Sequence, residues 1–226
     1  MRLIQQMPAG CGCVFRESFD SVRAVQDNGG IITGPPTIDR GFTCTASNTQ
    51  KITYGNQRNC LQYAKAATWI LRLKTPAAYN PFSFPIGKYL DTGPVIHWLC
   101  IVNNVGAFGF YISSAPNSLA NSILSNAALS VSTEYHLGCV YDGSLAVGSR
   151  GVLYAQGGVL ASTITGTLPA INMTSNSESL VIGGQTRVPA LLAGYIMRDV
   201  RIYNRAFSAA EMLDDYNQAS YSKVIP

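Results

Sequence analysis

The chain has 226 residues, of which 47% are hydrophobic and only 12% charged, and its 16 basic and 12 acidic side chains leave a formal net charge of +4. The charged share is about half of the roughly 25% usual for soluble domains. The basic residues are scattered rather than clustered, which leaves no footprint for nucleic acid, and no apolar run is long enough to span a bilayer as a helix.

With so few charges, the surface must be made of Ser, Thr, Asn, Gln, Gly and Tyr. That describes equally a neutral β surface and a subunit covered by neighbours in an assembly. The length allows one large β-domain or two small ones. Residues 1–8 carry one positive charge but are cut by polar residues and Pro8 before any useful apolar core, so they are not read as a signal peptide. Residues 1–13 read instead as an N-terminal arm with a break at Pro8-Ala9-Gly10, either disordered or laid on a neighbouring subunit.

Strand-like pieces follow, including Phe15, Phe19 and Val22, and Asp27-Asn28-Gly29-Gly30 is a strong turn. Residues 31–33 and 35–38 carry the chain to Arg40-Gly41 and a further strand, and residues 51–56 begin another. In residues 67–74 Trp69, Leu71 and Leu73 share one face, which predicts a core strand with Trp69 inside. Residues 77–94 are rich in aromatics, prolines and glycine with little periodicity, and read as a long variable loop that binds a ligand or packs on a partner. Tyr79, Phe82 and Tyr89 in that loop, with Trp98 just beyond it, are the candidate ligand-binding platforms, since sugar rings stack on aromatic faces.

Residues 96–102 and 107–113 predict a hairpin through Asn103-Asn104, with Asn suited to positive φ. His97 reads as a structural group on the first of these strands. Near the C-terminus, residues 180–182 form an apolar strand followed by a Gly183-Gly184 turn. In residues 199–203 Val200 and Ile202 alternate with Asp199, Arg201 and Tyr203, the period of a sheet with one buried side. Ser208 and Glu211 have the spacing of a capping box, which starts a short terminal helix.

Two of these stretches carry a resemblance. Residues 199–208, Asp-Val-Arg-Ile-Tyr-Asn-Arg-Ala-Phe-Ser, and residues 134–144, Glu-Tyr-His-Leu-Gly-Cys-Val-Tyr-Asp-Gly-Ser, resemble the closing strand and a central strand of laminin G-like, concanavalin A-like domains. Residues 151–161 resemble the next strand pair, with Gln156-Gly157-Gly158 at its tight turn, and residues 15–75 follow the pattern more loosely. The resemblance implies an all-β fold: a two-sheet antiparallel jelly-roll sandwich with a short C-terminal helix, formed as one domain by residues 14–226. Residues 195–198 hold one residue more than the pattern, which implies a β-bulge. His136 falls at a position where the family's histidine is structural.

The fold is shared with glycan-cleaving enzymes, so catalysis must be argued from the site. Glucanases on this scaffold carry a Glu-x-Asp-x-x-Glu run, because retaining hydrolysis needs two carboxyl groups about 5–5.5 Å apart. Glu17, Glu134, Glu178 and Glu211 are each isolated from such a run, and Asp214 and Asp215 read as solvated helix residues. The sequence contains neither Ser-x-Asp-x-Gly-x-x-Trp nor Gly-x-Ser-x-Gly, and the reading is a protein without catalytic activity. No organic cofactor is implied. Relatives hold a structural calcium, and Asp20, Asp27 and Asp199 are the candidate ligands if the first and last strands are neighbours; salt bridges and turn hydrogen bonds are the competing role.

Six cysteines allow three bridges in a secreted protein, but Cys100 and Cys139 lie inside apolar strands, which favours free thiols; Cys11-Gly12-Cys13 lacks the second pair of a zinc site. The leading functional expectation is a structural or adhesion protein on the surface of a phage-like virion, a capsid decoration or tail component. Its partners would be other virion proteins or further copies of itself, with host-surface glycans as a further ligand and neither nucleic acid nor membrane. The alternative is a carbohydrate-binding module of a bacterial cell-surface or secreted protein.

Overall fold

The computed structural model describes residues 13–34, 37–38, 41–43, 50–55, 65–79, 83–88, 97–113, 121–170, 179–184 and 194–221. In chain order the elements begin with β1 (Cys13–Glu17), helix α1 (Val22–Asp27), β2 (Gly30–Thr33), β3 (Thr37–Ile38), β4 (Phe42–Thr43), β5 (Lys51–Tyr54) and β6 (Ala66–Lys74). Then come β7 (Ser83–Lys88), β8 (His97–Val102), β9 (Ala107–Ser113), β10 (Ser122–Ala128), β11 (Glu134–Asp142) and β12 (Gly151–Ala155). The chain closes with β13 (Gly158–Leu160), β14 (Ser162–Thr165), β15 (Leu180–Ile182), β16 (Ile196–Tyr203) and helix α2 (Ala209–Tyr221).

The strands form two eight-stranded antiparallel sheets. The first has the order β13-β12-β11-β6-β16-β4-β3, with β1 also paired to β16; the second has the order β14-β10-β9-β8-β7-β15-β5-β2. Their inner faces enclose one core built on Trp69, which is fully buried on β6 with Leu71 and Leu73 at the alternate positions. Across the sandwich the Trp69 ring lies 4.3 Å from Phe110 and 5.2 Å from Trp98. The expected sandwich, the core strand and the terminal helix are all present.

Several local expectations hold in atomic detail. The register of β16 on β6 slips between Met197 and Asp199, so Arg198 is the bulged residue and the strand's facing changes there. Gln156 and Gly157 both have positive φ, 53° and 78°, as a type I′ hairpin turn requires. Ser208 N–H donates to Glu211 at 2.8 Å and Glu211 N–H donates back to the Ser208 hydroxyl at 3.3 Å, which completes the capping box.

Other expectations are corrected. Val22 belongs to α1, capped by the Ser21 hydroxyl, and not to a strand; Phe19, at φ 51°, makes the sharp corner between β1 and that helix. The 77–94 stretch is not one loop, because residues 83–88 form β7, a buried strand inside the second sheet, where Pro85 is tolerated at a register slip between Ser83 and Ile86. In the β8–β9 hairpin Gly106 takes the positive φ of 84°, while the Asn103 side chain accepts hydrogen bonds from the N–H groups of Val105 and Ala107. Finally, β16 is buried on both sides, since Asp199 and Tyr203 are 7% and 8% exposed. Alternation reveals one apolar face but not what a distant helix lays over the other.

Candidate functional site

The two outer faces of the sandwich differ in chemistry. On the first sheet, Gly138, Ile70, Val140, Tyr154 and Tyr203 make a floor onto which α2 presses Met212. Gly138 leaves room for that side chain: a Cβ would lie 2.6 Å from Met212 Cε, so the thioether end would have to shift. Beside this apolar contact the Asp215 carboxylate meets His136 Nε2 at 2.7 Å and accepts hydrogen bonds from both terminal nitrogens of Arg201. Arg201 also contacts Asp199 at 2.8 Å, and Asp199 lies 3.6 Å from Arg16.

Burial alone would raise the Asp215 pKa, but the His136 hydrogen bond and the Arg201 charge outweigh it and hold the carboxyl below its usual range. Asp215 is therefore neither solvated nor idle: it fastens the helix to the sheet. His136 is 3% exposed and its Nε2 meets the carboxylate carried by α2, so the His136–Asp215 pair serves as this clip.

On the second sheet the outer face carries a different row. Thr165, Ser122, Tyr111, Leu99, Gly87, Val181 and Thr53 are successive cross-strand partners from β14 to β5. Phe84, Leu99 and Ile101 form a buried apolar layer, with Tyr111 and Leu124 packed against it and partly exposed. Leu124 reaches over Gly109, where a Cβ would come within 2.5 Å of the Ile123 carbonyl oxygen.

Tyr111 thus presents an aromatic body on an apolar bed and a hydroxyl beside the Ser122 side chain. Burial raises its pKa and the Ser122 hydrogen bond opposes that rise, so the phenol is neutral near pH 7. Exposed Thr163, hydrogen-bonded to Asn126 at 2.7 Å, and exposed Thr165 extend the rim with uncharged polar groups. An aromatic surface ringed by hydroxyl and amide groups can stack on a sugar ring and bond its hydroxyls.

The residues predicted from sequence do not assemble there. Trp98 is 3% exposed and packs on Trp69 inside the core, so it offers no ligand surface. Tyr79 lies against the core with its hydroxyl donating to the Leu129 carbonyl at 2.7 Å, a structural tie rather than a platform. Phe82 and Tyr89 lie outside the described residues, as does the His97 side chain.

The calcium candidates do not converge either, although β1 does pair with β16 as that idea required. Asp20 accepts a hydrogen bond from Ser18, Asp27 faces Arg23 at 3.7 Å, and Asp199 is held between Arg16 and Arg201. Two guanidinium groups make that last position unsuited to a cation, and among the described residues no three His, Cys, Asp or Glu side chains are placed to hold a metal. Cys100 and Cys139 are free and buried, and burial pushes both thiols well above the usual range. The side chains of the other four cysteines lie outside the described residues.

No protein-family model matches the chain, and a comparison with curated protein sequences gives no match. Solved structures do match. The CBM40 of the Ruminococcus gnavus IT-sialidase, bound to α2,3-sialyllactose, is similar with a TM-score of 0.57 and 14% identity over 91% of this chain and 99% of that one. Domain 4 of AbnA, a GH43 extracellular arabinanase from Geobacillus stearothermophilus in complex with arabinotriose, has a TM-score of 0.56 and 16% identity over 82% and 81%. The fold is the antiparallel two-sheet sandwich that these two modules share. Trypanosoma rangeli sialidase is similar at a TM-score of 0.58 and 14% identity over 85% of this chain, which spans only 28% of that enzyme.

Tyr111 was not singled out in the sequence, although a signal for it existed. In residues 107–113 Phe108 and Phe110 alternate with Gly109 and Tyr111, so a strand that buries the two phenylalanines must turn Tyr111 outward.

Proposed function

We propose that the protein is a non-catalytic carbohydrate-binding module of the laminin G-like kind, with its glycan seated on the outer face of the second sheet around Tyr111. The observation that carries this reading is the match in extent. The chain is similar along nearly all of its length to two solved modules, each covered over most of its own length and each holding an oligosaccharide. Tyr111, Ser122 and the Thr163–Asn126 rim supply the stacking surface and hydrogen-bonding groups such a ligand needs. A non-catalytic role is supported by the isolated carboxylates and by the use of His136 and Asp215 as a helix clip.

The test is a glycan array followed by calorimetry on the hits, with α2,3-sialyllactose and arabinotriose included. Tyr111→Ala is expected to weaken a genuine ligand about tenfold, the loss of roughly one good aromatic contact. An array without hits, or hits indifferent to Tyr111→Ala, overturns the reading. A setting on a virion surface, with other virion proteins as partners, is a second reading, favoured by the charged share of only 12%. Co-sedimentation of the chain with particles tests it, and a chain that stays in the soluble fraction overturns it.

A further inference from the structure

The first sheet's outer face holds a charge arrangement that the helix clip does not use. On β6, Arg72 and Lys74 follow Ile70 at alternate positions and so share its outward side, about 7 Å apart along the strand. Arg72 lies in one cross-strand row between His136 of β11 and Asp199 of β16, and Lys74 lies between Glu134 and Ile196. Both cations are half-buried at the middle of the sheet.

Among the described residues neither side chain has a hydrogen bond or an ion pair. The neighbouring carboxylates are engaged elsewhere: Asp199 with Arg201 and Arg16, Glu134 with Arg198 at 3.1 Å, and Asp215 with His136 and Arg201. A half-buried guanidinium without a partner at the middle of a sheet marks a polar layer that is one acceptor short.

We propose that Arg72 and Lys74 form a second binding site, for a monoanionic oxyanion carried on a sugar, either a carboxylate or a sulfate ester. The planar guanidinium fork of Arg72 matches two oxygens of such a group, and Lys74 adds a mobile point charge for a third oxygen or an adjacent hydroxyl. Glu134, Asp199 and Asp215 nearby make a second negative charge on the ligand costly, which selects against phosphate monoesters. The site lies on the sheet opposite Tyr111. Its anion specificity is independent of the reading above; only the choice of a sugar as carrier rests on it.

The experiment is a titration of isotope-labelled full-length protein, followed by NMR, with sodium glucuronate, glucose 6-sulfate and glucose as probes. Saturable shifts in the amides of β6, β11 and β16 are expected with one or both anions and not with glucose, and the tighter anion identifies the source of the charge. Arg72→Gln should weaken anion binding at least tenfold while leaving the melting temperature unchanged, because the side chain has no partner to lose. Arg72→Lys should restore part of the affinity, and Tyr111→Ala should leave it intact. If neither anion shifts those strands at about 10 mM, the weak end of measurable affinity, the proposal is wrong. It is equally wrong if Arg72→Gln binds as well as the parent protein, or if Tyr111→Ala abolishes the effect. Loss of all neutral-glycan binding with the Arg72-dependent shifts retained would refute the module reading and leave this site standing.

Discussion

The two outer faces of this sandwich are built from similar alternating strands and end in opposite states. The first sheet's face is covered in part by the chain's own α2, which seats Met212 over Gly138 and fastens Asp215 to His136 and Arg201, while Arg72 and Lys74 beside it stay half-buried. The second sheet's face keeps Tyr111 and Leu124 partly exposed on a buried apolar layer, with uncharged hydroxyl and amide groups at its rim. Charge decides the difference. Charges buried under a helix are tolerated only when each has its partner, whereas neutral hydroxyl and amide groups cost less to desolvate when a ligand covers them.

If that contrast is right, the largest stability effect lies on the helix side. Asp215→Ala strands Arg201 and His136, both nearly buried, and should cost about 3 kcal/mol in urea unfolding, at the low end of a broken buried pair because Asp199 still faces Arg201. Met212→Ala empties the apolar contact and should cost about 2–4 kcal/mol by the same measurement. Neither substitution should alter glycan binding, and a loss of binding in Met212→Ala with the fold intact would undo the division of labour between the faces.

Acid supplies a smaller and reversible version of the first change. The folded pKa of Asp215 is depressed, so its stabilising contribution is complete above the ordinary carboxylate value, near pH 4, and is lost as the pH falls through the lower folded value. The stability gap between the parent protein and Asp215→Asn should therefore narrow as the pH falls below about 4, as read from unfolding curves across the acid range. The smallest stability effect is expected from Tyr111→Ala, about 1 kcal/mol for a half-exposed ring, set against the tenfold loss of ligand predicted for it.

Much of the scaffold could be read from local pattern. The alternation of Trp69, Leu71 and Leu73 marks the central strand, the extra residue in 195–198 becomes the bulge at Arg198, and Ser208 with Glu211 caps the helix. The site was far less legible. Trp98 and Tyr79 looked like ligand platforms because aromatic residues near prolines suggest an exposed loop, yet β7 runs through that stretch and draws its neighbours into the core. Asp215 looked solvated because its own helix is polar around it; its partners lie 79 and 14 residues away.

The sequence by itself determined the central strand, the tight turn at Gln156-Gly157 and the helix start, because these depend on side-chain alternation, positive φ and capping within a few residues, and the sandwich followed from the resemblance of two of its strands. Only the tertiary structure decided which outer face the terminal helix packs on. That outcome depends on contacts between strands and a helix far apart in the chain, where a carboxylate either meets a buried guanidinium and imidazole or does not, and no local pattern encodes the meeting.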